Sequence, residues 1–285
     1  SLNAENAALK AGSTITVNNI TASQKVRFEA GEDFIHEGGA INAKEAVAFA
    51  QRDVLLNSGS MVADAATLTA TSGAIVEKYG YVVDTPVLTA GAGGAIDLGS
   101  SANQLVNVDV TKAGGNVTIG NGYSKAATDT PVQLQVVTSN TVKGDLLITN
   151  YASASDANKN EIVVANVLNA TGKIEIINKE TNINVNGNAS MSGTNIKLQA
   201  TGNAVNINGG AMEATAENGK FEAIAKDVNV ASGNINAKGV ELAATNDVTM
   251  SGGTVQANTA TIQANGAAAN SGFTMSGGLI DATNT

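Results

Sequence analysis

The chain of 285 residues contains no cysteine and no tryptophan, and only 3% of its residues are aromatic. Without cysteine it has no disulfide framework, no thiol nucleophile and no thiolate metal ligand. It also has a single histidine, His36, so Ser/His dyads and imidazole metal sites would need unusual partners. We therefore predict no catalytic residue, no metal ligand and no cofactor. We expect His36 to lie on the surface beside a turn.

Positive charge is also scarce, with arginine only at positions 27 and 52 and a net charge of −9. Because phosphate contacts need clustered Lys and Arg, nucleic acid is not an expected partner. The sequence has no apolar run of about 18 residues, so we expect no membrane insertion. Its 43% of hydrophobic residues and only two prolines argue against a disordered linker.

What the chain has instead is an internal repeat, clearest from Val205 to Ala282. A set of apolar residues recurs 20 residues later, a third copy follows at an offset of 25, and an earlier copy precedes the set by 23. Self-similarity at this period is typical of solenoid proteins. The first set and its recurrence are Val228, Val230, Ile235, Ala237, Val240 and Leu242, then Val248, Met250, Val255, Ala257, Ala260 and Ile262.

Within each copy the apolar residues stand two apart, which predicts strands and not helices. Three such pairs are separated by short turns rich in Gly, Asn and Ser. This pattern predicts an all-β fold, a single right-handed parallel β-helix with three short strands per coil of about 20–25 residues. At about 22 residues per coil the chain would make roughly 13 coils. Residues 46–51 lack a helix breaker, which leaves a short helical turn open there as an alternative.

The pattern runs through most of the chain, so we predict one domain over residues 1–285. Turn residues interrupt it at four places, where we expect protruding loops, near 76–90, 121–131, 151–160 and 264–272. The last copy stops in mid-coil, and we therefore expect the chain to be an excerpt of a longer protein.

Tyrosine occurs only four times, and two of the four lie in the segment Glu77-Lys78-Tyr79-Gly80-Tyr81. Tyrosine is favoured on recognition surfaces because it combines a large apolar ring with a hydrogen-bonding hydroxyl. The candidate binding residues are Lys78, Tyr79, Tyr81 and Tyr151. Packing of the rings over the coil is the alternative for the tyrosines near position 80.

Other polar residues are more consistent with structural roles. Paired carboxylates would supply the acid and base of glycoside hydrolysis, but Asp and Glu are scattered, mostly at turns such as Asp227 and Asp247. The Asn-rich stretch 182–188 lacks the calcium-binding repeat and the EF-hand spacing. We expect its amides to stack and to bond from coil to coil.

Residues 93–119, GGAIDLGSSANQLVNVDVTKAGGNVTI, resemble the internal repeats of filamentous-haemagglutinin-like exoproteins of bacterial two-partner secretion. The resemblance implies a long extracellular β-helical fibre, exported through an outer-membrane secretion partner. The matching residues are Gly93, Gly94, Ile96, Leu98, Gly99, Asn103, Val108, Val110, Gly114, Gly115, Asn116, Val117 and Ile119.

Pattern and resemblance together lead us to expect a structural shaft segment of a secreted or surface-exposed bacterial adhesin, and not an enzyme. Such a segment would mediate attachment or present a distal functional region, with a host-surface protein or glycan as its candidate partner. The alternative is a polysaccharide-active or carbohydrate-binding β-helix protein.

Overall fold

A computed structural model describes residues 2–78, 80–122, 132–151, 160–266 and 272–283, apart from the side chains at 132 and 160. Within these residues the chain forms β-strands and no helix, and its parallel strands stack as a β-solenoid of about 12 turns. The predicted all-β parallel β-helix is therefore confirmed, and the number of turns is close to the expected one.

The chain divides into two compact units, which are described separately. One consists of Ser1–Ala126 with Thr138–Gly144, and the other of Ala127–Val137 with Asp145–Thr285.

In the first unit, short strands of three to five residues alternate with long strands of ten or eleven. Short strands pair in parallel with short ones and long with long, from one turn to the next. The strands are β1 (Leu2–Ala11), β2 (Ile15–Val17), β3 (Ile20–Ala30), β4 (Phe34–His36), β5 (Ala40–Ala50), β6 (Val54–Leu56), β7 (Ser60–Ala70), β8 (Ile75–Glu77), β9 (Val82–Ala92), β10 (Ile96–Leu98), β11 (Gln104–Ala113) and β12 (Val117–Asn121).

The long strands supply two sides of each turn because the alternation of inward and outward side chains is interrupted in the middle of the strand. In β3, Ile20 and Val26 are both buried, but Ser23 and Gln24 between them are both exposed. Two successive outward side chains cannot lie on one flat strand, so the chain turns a corner there. The pairing of β3 with β5 shifts register at the same place. The three predicted strands per coil are thus present as one short strand and one bent long strand.

In the second unit the three sides of a turn are formed by separate strands at both ends and by two very long strands in between. The strands are β13 (Val132–Thr138), β14 (Leu146–Asn150), β15 (Asn160–Val164), β16 (Val167–Asn169), β17 (Ile174–Asn178), β18 (Ile183–Val185), β19 (Ser190–Gly193), β20 (Ile196–Ala214), β21 (Lys220–Asn236), β22 (Gly239–Ala244), β23 (Val248–Met250), β24 (Thr254–Ala257), β25 (Thr259–Ala264), β26 (Phe273–Met275) and β27 (Leu279–Ala282).

The offsets between paired residues in the second unit are the same as the offsets of the repeat in the sequence. Val228 pairs with Val248, and Val248 with Phe273, so the offsets of 20 and 25 residues both join neighbouring turns. The offset of 23 pairs Val205 with Val228. These side chains are buried except at the last turn, where Phe273 is 45% exposed. Each turn therefore buries its apolar row against the same row of the next, as nearest-neighbour stacking requires.

Two local predictions are wrong. The helical alternative at residues 46–51 fails because β5 continues as a strand to Ala50. The expected loop near 76–90 is also wrong, since β8 ends at Glu77 and β9 begins at Val82. Of the other three predicted loops, residues 123–131, 152–159 and 267–271 lie outside the described residues.

Candidate functional site

The structure describes three of the four residues predicted to bind a ligand. Lys78 is exposed directly after β8, and Tyr151 is 43% exposed directly after β14. Tyr79 lies outside the described residues. Tyr81 has no exposed surface at all, because its ring points into the first unit. Tyr81 is therefore not available to a ligand at the surface, and the alternative of ring packing describes it correctly.

The hydroxyl group of Tyr81 bonds to the only histidine of the chain. Tyr81 Oη lies 2.7 Å from His36 Nδ1, and His36 Nε2 lies 3.0 Å from the carbonyl oxygen of Asn18. A carbonyl can only accept, so Nε2 carries the proton of the neutral imidazole and Nδ1 accepts from the tyrosine hydroxyl. Burial lowers the pKa of His36, which favours this neutral form. The expectation that His36 lies on the surface is wrong, since its side chain is fully buried.

A carboxyl group, Glu77, is buried close to this pair. Its Oε2 accepts hydrogen bonds of 3.0 Å from the backbone N–H of Ser100 and from Asn103 Nδ2. The other oxygen, Oε1, is buried and has no hydrogen-bond partner among the described residues. Burial raises the pKa of Glu77 to about 7, and the negative charge of Asp97 adds to the effect.

Hydrogen bonds connect Glu77 to the turn that carries Tyr81. Asn103 Oδ1 accepts from the backbone N–H of Val83 at 2.8 Å, and Ser100 Oγ donates to the carbonyl oxygen of Tyr81 at 3.0 Å. We call the buried residues Glu77, His36, Tyr81 and Asn103, together with the half-buried Ser100, the buried polar cluster. Sequence reasoning missed it, although Phe34/His36 and Ile75/Glu77 show the same two-residue spacing as the apolar pairs. That spacing was the available signal that both polar residues point inward.

A surface cleft of about 250 Å³ lies on the same unit, across neighbouring long strands. Two carboxylates, Asp64 and Asp84, and the amide of Gln104 supply its polar groups. The carboxylates can accept hydrogen bonds from hydroxyl groups and can attract a cation. Gln104 Nε2 already donates to the carbonyl oxygens of Ala102 and Gly122, both at 3.1 Å. None of the described residues that line the cleft is aromatic. Its lining consists of Ala43, Val62, Ala63, Asp64, Asp84, Pro86 and Gln104.

Amide side chains form a ladder on the outer face of the second unit, as predicted. Asn206 Nδ2 donates to Asn184 Oδ1 at 2.8 Å, and Asn229 Nδ2 donates to Asn206 Oδ1 at 2.9 Å. At its other end, Asn184 Nδ2 donates to Glu161 Oε2 at 2.7 Å. The prediction of stacked amides is confirmed for Asn184. Asn186 instead lies in an exposed turn, where its carbonyl oxygen accepts a hydrogen bond of 2.9 Å from the N–H of Ala189.

The turn aspartates also bond between coils. Asp227 Oδ1 accepts from the backbone N–H of Asp247 at 3.3 Å, and Asp247 Oδ1 accepts from that of Gly272 at 2.8 Å. These carboxylates satisfy backbone donors of the following turn, which is a structural use.

Over the described ranges no group of three or more His, Asp and Glu side chains is placed to hold a metal ion. In the same residues there is no helix long and apolar enough to cross a membrane. Searches against protein families, curated proteins and solved structures found no match to this chain.

Proposed function

We propose that this chain is a structural shaft segment of a secreted or surface-exposed bacterial adhesin, which mediates attachment or presents a distal functional region. The observation that supports it most directly is the in-register stacking of the turns, with apolar rows inside and an amide ladder outside. In the second unit, neighbouring turns pair through the backbone, and from Glu161 to Asn229 they also bond through outer side chains. Such a stack resists extension because separating two turns breaks many hydrogen bonds together.

The arrangement of residues 93–119 gives further support. The two halves of this segment stack on each other, with Ile96 paired to Val117 and Leu98 paired to Ile119. The segment that resembles haemagglutinin-like repeats is thus one full turn of the stack and the beginning of the next. The resemblance makes an outer-membrane secretion partner part of the proposal, with a host-surface protein or glycan as the ligand of the whole adhesin.

Localisation gives the direct test. Antibodies against the purified chain should label intact cells of the source bacterium, or precipitate the protein from its culture medium, without permeabilisation. The labelling should be lost when the gene for the outer-membrane secretion partner is deleted. Signal only after permeabilisation would contradict the proposal.

A second candidate function, carbohydrate binding or cleavage, is favoured by the cleft that contains Asp64 and Asp84. Two carboxylates facing one cleft are the groups that glycoside hydrolysis uses as acid and base. The shaft proposal predicts no turnover of pectins, uronates or mucin glycans, and no glycan binding at the cleft of Asp64 and Asp84. If turnover, or binding to a glycan array, is found and is lost in Asp64→Asn or Asp84→Asn but kept in Asp281→Asn, the carbohydrate function replaces the shaft.

A further inference from the structure

The carboxyl group of Glu77 has an environment that suits its protonated form. The alternation of β8 that buries Ile75 also directs Glu77 inward, in register with Leu56 of β6. The neighbouring strand β10 brings a like charge, Asp97, and Tyr81 faces Glu77 from the segment before β9. Lys78 is next in sequence but is exposed, and none of the ion pairs between described residues includes Glu77.

The two oxygens of this carboxyl group are unequal. Oε2 has two donors, Ser100 N–H and Asn103 Nδ2, whereas buried Oε1 has none in the part of the chain that the structure describes. A buried carboxylate with an unpaired oxygen is much less stable than a neutral acid with an unpaired O–H. Ionised Glu77 can regain its hydration only if water reaches Oε1, and Oε1 is buried in the closed structure.

We propose that Glu77 is a proton-dependent switch within the solenoid. One segment contains Ser100 and Asn103, and the other contains Tyr81 and Val83. Protonated Glu77 keeps these two segments in contact, which is the closed state. Loss of the proton opens this contact locally and admits water to the buried polar cluster. This inference depends only on the first unit and is independent of the adhesin proposal.

The direction of the pH effect follows from the two states. In the open state Glu77 has its ordinary pKa of 4.5, and in the closed state burial raises the pKa to about 7. The stabilisation of the closed state is therefore complete below pH 4.5 and is lost as pH rises towards 7. His36 acts in the opposite direction, since its lowered pKa makes the closed state lose stability as pH falls below 6.5.

The test is hydrogen exchange of the whole chain, followed by mass spectrometry on peptides that contain the Val83 and Ser100 amides. Opening constants are measured at pH 5.5 and pH 8, with correction for intrinsic exchange, for the wild type and for Glu77→Gln. The contribution of His36 cancels when the opening constant of the wild type is divided by that of Glu77→Gln at the same pH. From the two pKa values of Glu77, this wild-type-to-variant ratio should rise about 30-fold between pH 5.5 and pH 8.

Glu45→Gln is the matched control. It removes a half-exposed carboxylate that pairs with Lys25 at 2.6 Å on the same unit, and its ratio to the wild type should stay constant. A constant ratio for Glu77→Gln would overturn the proposal. The carboxyl ¹³C resonance of Glu77 in the wild-type chain provides a second measurement, which does not depend on how the variant folds. Titration near pH 7 supports the switch, and titration near pH 4.5 excludes it.

Discussion

At the scale of single residues, the direction of a side chain in a strand decides how strongly a substitution affects stability. Val230 is buried in register with Ile207 on one side and Met250 on the other, while Asn229 beside it faces outward. The two positions are adjacent in sequence and differ only in the face of the strand they occupy.

We predict that Val230→Asp lowers the free energy of unfolding by about 3 kcal/mol or more, because it buries an unpaired carboxylate and removes apolar contacts. Asn229→Asp should cost under about 1 kcal/mol, apart from what the amide ladder loses, because the new carboxylate stays near water. Urea unfolding of the two variants measures the difference. A larger loss for Asn229→Asp would mean that the assigned faces are wrong by one residue.

The buried hydroxyl of Tyr81 provides a second prediction. Tyr81→Phe leaves His36 Nδ1 buried without its donor, and should cost about 1–3 kcal/mol of stability. Tyr151→Phe is the control, since Tyr151 is 43% exposed and water replaces whatever its hydroxyl loses. Thermal unfolding at pH 7 compares the two variants. Equal stability of Tyr81→Phe and Tyr151→Phe would show that the bond between Tyr81 and His36 contributes nothing.

At the scale of structural elements, tight turns between short and long strands restrict which residues fit. Gly59 and Gly80 both have a left-handed backbone, with φ of 101° and 87°. Only at Gly59 does a neighbouring turn lie close by, because an added Cβ would overlap the carbonyl oxygen of Gly39. That carbonyl accepts the N–H of Ser60 at 2.9 Å, so it cannot move without weakening the stack.

We predict that Gly80→Ala costs about 1–2 kcal/mol, the strain of a left-handed alanine alone. Gly59→Ala should cost this amount and a further contribution of about 1–3 kcal/mol, because the added methyl group displaces the backbone of the preceding turn. Space is open around Gly80, where no atom lies within 4 Å of an added Cβ. Chemical denaturation separates strain from overlap. Equal costs at the two glycines would show that the turns move apart freely.

At the scale of the whole molecule, a solenoid is stabilised by contacts between neighbouring turns. Among the described residues, a strand pairs with the strands before and after it in its row, as β21 does with β20 and β23 around Val228. Stability in such a chain is approximately a sum of terms for each turn and for each interface between adjacent turns.

We therefore predict that damage spreads only a short distance along the stack. Val230→Asp should increase amide exchange in β18, β20 and β23, and should leave the protection of β4 and β6 in the first unit unchanged. Hydrogen exchange with mass spectrometry on the full chain gives both values in one experiment. An equal loss of protection in both units would mean that the chain unfolds as one cooperative body.

The sequence by itself determined the fold class, the period and the register of the second unit. The repeat alone aligns Val205, Val228, Val248 and Phe273, because a shift of the register by one residue would bury Asn side chains and expose Val side chains. It also indicated the amide ladder through Asn184, since outward amides at one position per turn come within hydrogen-bonding distance when turns stack. These features depend on short-range alternation, which can be read along the chain.

Only the tertiary structure decided that Tyr81, His36 and Glu77 are buried. The sequence makes Tyr81 a candidate binding residue because tyrosine is favoured on recognition surfaces, yet its ring is buried and packs against His36. His36 and Tyr81 are 45 positions apart, and their bond exists only because the intervening turns stack in one register. Which polar groups become buried together depends on the radius and corners of each turn, and these are set by packing between turns and not by local preference.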